Sequence, residues 1–144
     1  VDLRVTLPAD PRSPAEARRL VSRSLLEWGL AGMLDAAALL ITELVTNSVL
    51  HARSETELVV TADGQRLHVE VCDASPVVPR LVRHSLTAVT GRGIRLLDTL
   101  ATGWGVVATG EGKCVWFALD ASRARADASE DVWSDLDFDA IEPL

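Results

Sequence analysis

Two hairpin signals, preceded by two consecutive helical stretches, narrow the folds open to this chain more than any other feature. Glu57–Ala62 and Arg66–Cys72 alternate around Asp63-Gly64, and Gly103–Ala108 and Lys113–Leu119 alternate around Thr109-Gly110-Glu111-Gly112. Period-two alternation marks a strand with one buried face, and Asp-Gly between two such runs is a strong hairpin signal. Upstream, Ser13-Pro14-Ala15-Glu16 offers a Ser N-cap, a Pro at the first helical position and a Glu at the third. That predicts a helix to about Trp28, stopped by Gly29. A second helix is expected from about Leu34 to His51, a short strand over residues 2–7 ahead of Pro8, a loop over 74–91, and a short helix from Gly93 to about Leu100. The order strand, two helices, hairpin, loop, helix, hairpin predicts an α/β two-layer sandwich, with a mixed, mainly antiparallel sheet and helices on one face. A doubly wound parallel sheet would need strands alternating singly with helices.

Charge divides the chain in two. The net charge is -7, and residues 121–144 carry Asp127, Glu130, Asp131, Asp135, Asp137, Asp139 and Glu142 against Arg123 and Arg125. The expected organisation is one domain over 1–120 and an acidic tail over 121–144. The tail also holds Trp133, Leu136, Phe138, Ile141 and Leu144. It reads as a flexible solubilising end, or as a segment whose apolar residues dock on the body or on a partner. A nearly neutral body with an acidic end has no electrostatic footprint for nucleic acid. No signal peptide and no apolar run near the length of a membrane span is read, so a cytoplasmic location is expected. Cys72 and Cys114 sit in apolar strands outside any CxxC or Cys/His cluster, and read as two buried hydrophobes with no disulfide or zinc.

Three segments carry candidate chemistry. Glu43, Asn47 and His51 recur at steps of four, which places them on one side of the second helix. A carboxylate can deprotonate a hydroxyl, and an amide oxygen one turn away can bind a hard cation. Taken alone, the stripe reads as a solvated helix face. Asp73 closes the Val69-Glu70-Val71-Cys72 strand and can accept a hydrogen bond from an exocyclic amine of the kind adenine offers; alone it reads as a turn residue. Thr90-Gly91-Arg92-Gly93-Ile94 stands where a loop becomes a helix, a place where backbone amides can approach an anion. Gly110-Glu111-Gly112-Lys113 is no phosphate-binding loop, because Val107 stands where the first Gly is needed and a strand follows.

The order and spacing of these segments resemble the GHKL superfamily of ATP-binding domains, which includes DNA gyrase, mismatch-repair ATPases and bacterial histidine kinases. More narrowly, the chain is similar to the single-domain anti-sigma-factor serine kinases of actinobacterial type. The matching stretches include residues 7–13, 26–30, Glu43 to Ala52, Asp73-Ala74-Ser75-Pro76, Gly91 to Asp98, Trp104-Gly105-Val106 and Gly112 to Phe117, and together span residues 5 to about 119. The resemblance implies a Bergerat-type ATP-binding fold, with ATP and Mg²⁺ as ligands. It implies that Glu43 is the general base, Asn47 the magnesium ligand, and Asp73 the acceptor for the adenine amine. His51, Pro76, Gly91, Arg92, Gly93 and Ile94 would line the nucleotide, with residues 76–90 as a lid. Cys114 stands where the family carries a Thr that supports adenine recognition, and a thiol is the poorer hydrogen-bond partner.

The function this implies is a protein serine kinase that phosphorylates a STAS-type anti-anti-sigma partner and sequesters a sigma factor. It binds neither nucleic acid nor membrane directly, and homodimerisation is compatible with it. The alternative is a non-catalytic regulator that captures its partner and uses nucleotide only as a conformational ligand. A self-contained histidine kinase is not expected, since the residues ahead of Glu43 contain no His.

Overall fold

The computed structural model of the chain describes residues 2–75 and 97–120. The expected lid, the residues Pro76, Gly91, Arg92, Gly93 and Ile94, and the acidic tail lie outside the described residues. In chain order the elements are β1 (Asp2–Leu7), α1 (Ser13–Glu27), a 3₁₀ turn (Ala31–Met33), α2 (Leu34–Asn47), a π turn (Ser48–Ala52), β2 (Thr56–Asp63) and β3 (Arg66–Asp73). After them come α3 (residues 97–100), β4 (Gly103–Ala108) and β5 (Lys113–Asp120).

Local chemistry explains the helix ends. Ser13 does not cap α1; its hydroxyl donates to the Pro8 carbonyl at 2.6 Å, and Arg12 takes the N-cap position without a side-chain cap. The preceding turn is made by Asp10, whose carboxylate accepts from the Arg12 N–H at 2.8 Å and from its guanidinium at 3.1 Å. These contacts hold the Asp10 carboxyl below its ordinary pKa, the side-chain hydrogen bond from Arg12 being the largest cause. Gly29 ends α1 as expected, at φ +74°. The Leu30 N–H reaches the Leu25 carbonyl at 2.8 Å and the Gly29 N–H reaches that of Leu26, which is the paired bonding of a Schellman stop. The second helix is α-helical only to Asn47, after which it widens into the π turn and stops at Arg53 in the left-handed region. Such π insertions concentrate at functional sites.

All four ladders are antiparallel, in the order β1-β2-β3-β5-β4, so the mixed component expected of the sheet is absent among the described residues. The Asp63-Gly64 hairpin forms as read, with Gly64 at φ +63°. The last strand inserts between β3 and β4, which leaves its hairpin partner β4 at the sheet edge. One sheet face is covered: Leu58, Val60, Leu67, Val69, Val71, Val115, Phe117 and Leu119 are buried in the same core as Val21 and Leu25 of α1 and Leu40, Ile41 and Val45 of α2. The run Ala31–Ala52 is, by length and mean hydropathy (1.5), long and apolar enough to cross a membrane, although Asp35, Glu43 and Asn47 interrupt it. Here it is the central core helix, with most of its surface taken up by the sheet and α1.

The other sheet face carries the largest correction. Cys72 and Cys114 are not separate buried thiols but a disulfide, with Cα atoms 4.0 Å apart. Placing β5 beside β3 makes Cys72 and Cys114 direct cross-strand partners. Alternation turns both away from the core, so each is half-buried on the face that also bears Glu70 and Trp116. The Trp116 ring stacks on His68 at 5.5 Å and lies across Gly105, where a Cβ would come within 2.7 Å of its Nε1.

Candidate nucleotide site

The polar stripe of α2 is not a solvated face. Glu43 is 2% exposed and Asn47 half-buried, while His51 is exposed on the π turn. The buried Oδ1 of Asn47 has no hydrogen-bond partner among the described residues. An amide carbonyl oxygen held dry and unused is costly unless something binds it. Its chemistry suits a hard divalent cation such as Mg²⁺, so the residues present fit the metal that the resemblance implies.

Immediately after Asn47, the helix reaches across to β3. The Ser48 hydroxyl donates to Asp73 Oδ2 at 2.9 Å, and the Ser75 N–H donates to Oδ1 at 3.0 Å. From β5, the Lys113 ammonium donates to both oxygens, at 2.9 and 3.0 Å. Three segments therefore converge on one carboxylate that is 3% exposed. Both oxygens of an ionised carboxylate offer about four acceptor positions in all, and protein donors take four here. The β4–β5 loop makes this approach feasible. Its Gly112 lies so close to the end of β3 that a Cβ would collide with the Asp73 carbonyl oxygen and come within 2.8 Å of the Ala74 Cα. The loop is closed by Thr109, whose N–H donates to the Gly112 carbonyl at 2.9 Å while its hydroxyl accepts from the Gly112 N–H at 3.0 Å.

Of the residues singled out in the sequence, the structure joins Asp73 to Ser48, the residue that follows Asn47 on the helix. It sets Glu43 one helical turn upstream in the buried layer and leaves His51 at the outer end of the helix. Cys114 does not join them, because it is bonded to Cys72 on the opposite sheet face. The β5 side chain that reaches Asp73 is that of Lys113. The parity of β5 was the available signal: Val115, Phe117 and Leu119 face the core, so residue 113 shares their side and 114 does not. Lys113 is also the only lysine in the chain. Ser48 was missed for another reason; its role exists only once β3 is packed against the end of α2. The groove lined by Leu7, Pro8, Arg12, Ser13 and Arg19 at the β1–α1 corner shares none of these residues.

Comparisons with known proteins bear on the fold and the family. No curated protein matches the chain significantly. Among solved structures, a histidine kinase domain from an Erythrobacter litoralis blue-light activated histidine kinase superposes with a TM-score of 0.54 at 21% identity. The alignment covers 69% of this chain and 50% of that one, so this chain spans about half the length of the relative it matches. At that identity the likeness speaks for the fold alone. The model of the histidine kinase-like ATPase domain matches residues 7–119, which takes in every described element from the end of β1 to β5. The chain belongs to the histidine kinase-like ATPase domain family, of GHKL type.

Proposed function

We propose that this chain is an ATP-dependent protein serine kinase that phosphorylates a STAS-type anti-anti-sigma protein and also sequesters a sigma factor. The observation that carries the nucleotide part is the dry, unpartnered amide oxygen of Asn47, placed next to the Ser48–Asp73 contact. Asn47 would hold Mg²⁺, and Asp73 would read the base of the nucleotide. When bound, the metal supplies charge neutralisation on the phosphates. Glu43 is the group that would take the proton from the acceptor serine, one turn from Asn47 and shielded from bulk water. The choice of serine as acceptor, and of sigma-factor and STAS partners, is supported by the resemblance over residues 5 to 119. Incubating the chain with Mg·ATP and a purified STAS partner should give phosphoserine on the partner, lost in Glu43→Ala. Tight ATP binding without any transfer would overturn the kinase reading.

One observation favours a second reading, in which nucleotide acts only as a conformational ligand for partner capture. The carboxylate that should read the base is already fully engaged by Lys113, Ser48 and the Ser75 N–H. Partner capture that needs no ATP and survives Asn47→Ala would select that reading over the kinase.

A further inference from the structure

We infer that Lys113 makes this site tolerant of 6-oxopurine nucleotides, the class of GTP and ITP, in place of a strict preference for adenine. The inference rests on the reading that the base of a purine nucleotide lies against Asp73. A lone buried carboxylate rewards the 6-amino group of adenine, because it can only accept, and it repels a 6-keto oxygen. Asp73 is not such a group. Its Oδ1 accepts from Lys113 Nζ at 2.9 Å and from the Ser75 N–H at 3.0 Å. Its Oδ2 accepts from Ser48 Oγ at 2.9 Å and from Lys113 Nζ at 3.0 Å. An incoming amine must displace one of these donors before it gains a hydrogen bond, so the net reward for the 6-amino group is small.

The ammonium changes the other side of the comparison. It has three protons. Two contacts go to Asp73, and among the described residues its third contact is to the Ser75 carbonyl at 3.5 Å, longer than a good N–H···O bond. The Lys113 side chain is 11% exposed, so little water reaches that remaining proton. A buried donor without a good acceptor favours a ligand that brings one. The keto oxygen of hypoxanthine or guanine is such an acceptor, and it carries no hydrogen to compete for Asp73. The Asp73–Lys113 pair thus offers the base a donor from its cationic member, where an uncapped carboxylate would offer only an acceptor.

The discriminating measurement is competitive binding of ATP, ITP and GTP to the whole chain with Mg²⁺, using a fluorescent ribose-labelled ATP as probe. In the unaltered protein, ATP and ITP should bind within about tenfold of one another. In Lys113→Met, which keeps the length and removes the donors, the ratio of ATP to ITP affinity should move toward ATP by roughly 10- to 100-fold, the worth of one hydrogen bond to a charged group. Lys113→Arg, which restores the donors, should return the ratio toward that of the unaltered protein. A merely structural role for Lys113 would shift both affinities together and leave the ratio unmoved. A preference for ATP above about a hundredfold in the unaltered protein overturns the inference even if no variant folds, and leaves the nucleotide reading intact. Binding of none of the three nucleotides overturns both.

Discussion

Reducing the Cys72–Cys114 bond should lower stability by an amount the fold lets one work out. The bridge joins residues 42 apart in sequence, so in the unfolded chain it closes a loop of that size. The chain-entropy relation gives about −13 cal/mol/K for such a loop, or about 4 kcal/mol at 25 °C. A domain of this size has a total stability of only about 5–15 kcal/mol, so the loss is a large share. With an unfolding entropy of about 2 cal/mol/K per residue over about 100 ordered residues, it corresponds to a fall in Tm of about 15–20 °C. The assay is urea and thermal unfolding of the oxidised protein, the same protein after a phosphine reductant, and Cys72→Ala/Cys114→Ala. Thiol counting should find none in the first and two in the second. The reduced protein and the double variant should unfold at closely similar urea midpoints, and both should show a larger m-value, because release of the loop lets the unfolded state expand. Complete reduction that lowers stability by less than about 1 kcal/mol would refute the reasoning.

Three further outcomes follow from named contacts. Gly112→Ala puts a methyl group into the backbone of Asp73 and Ala74, so no rotamer relieves it; we expect a loss of at least about 2 kcal/mol in urea unfolding, from forced overpacking. Gly105→Ala drives a Cβ into the Trp116 indole; the expected cost is about 1–3 kcal/mol, with a changed tryptophan signal in near-ultraviolet circular dichroism, and an unchanged spectrum would argue against the stacked ring. Asp10 has a depressed carboxyl pKa because of Arg12. Its contribution is therefore fully present above the ordinary carboxylate range and is lost as pH falls through the lower folded value. A carboxyl-carbon NMR titration should give a midpoint below 3.8, and Arg12→Ala should return it to the ordinary range.

Much of the fold was legible because it is written in local periodicities. The strands, the Gly64 and Gly29 stops and the start of α2 come from alternation, turn chemistry and the apolar face of a helix, each a property of neighbouring residues. What stayed hidden depends on pairings distant in sequence. The insertion of β5 between β3 and β4 joins Cys72 to Cys114 and Asp73 to Lys113, and neither alternation pattern specifies it. Ser13 was read as a cap from composition, yet the Asp10 turn brings its hydroxyl to Pro8. The site was legible in part for the same reason. Glu43 and Asn47 sit at helical spacing on a single element, whereas Lys113 and Ser48 acquire their roles only where α2, β3 and β5 meet.

If the unpartnered Asn47 oxygen marks a metal-dependent nucleotide site, ATP binding should depend on Mg²⁺ through that residue. Calorimetric titration of the chain with ATP, with and without Mg²⁺, measures this dependence. Saturable one-to-one binding that weakens strongly when Mg²⁺ is withdrawn is predicted, with the magnesium dependence abolished in Asn47→Ala while the thermal unfolding of the unliganded protein stays close to that of the unaltered chain. Binding indifferent to Mg²⁺, or equally magnesium-dependent after Asn47→Ala, would contradict the account.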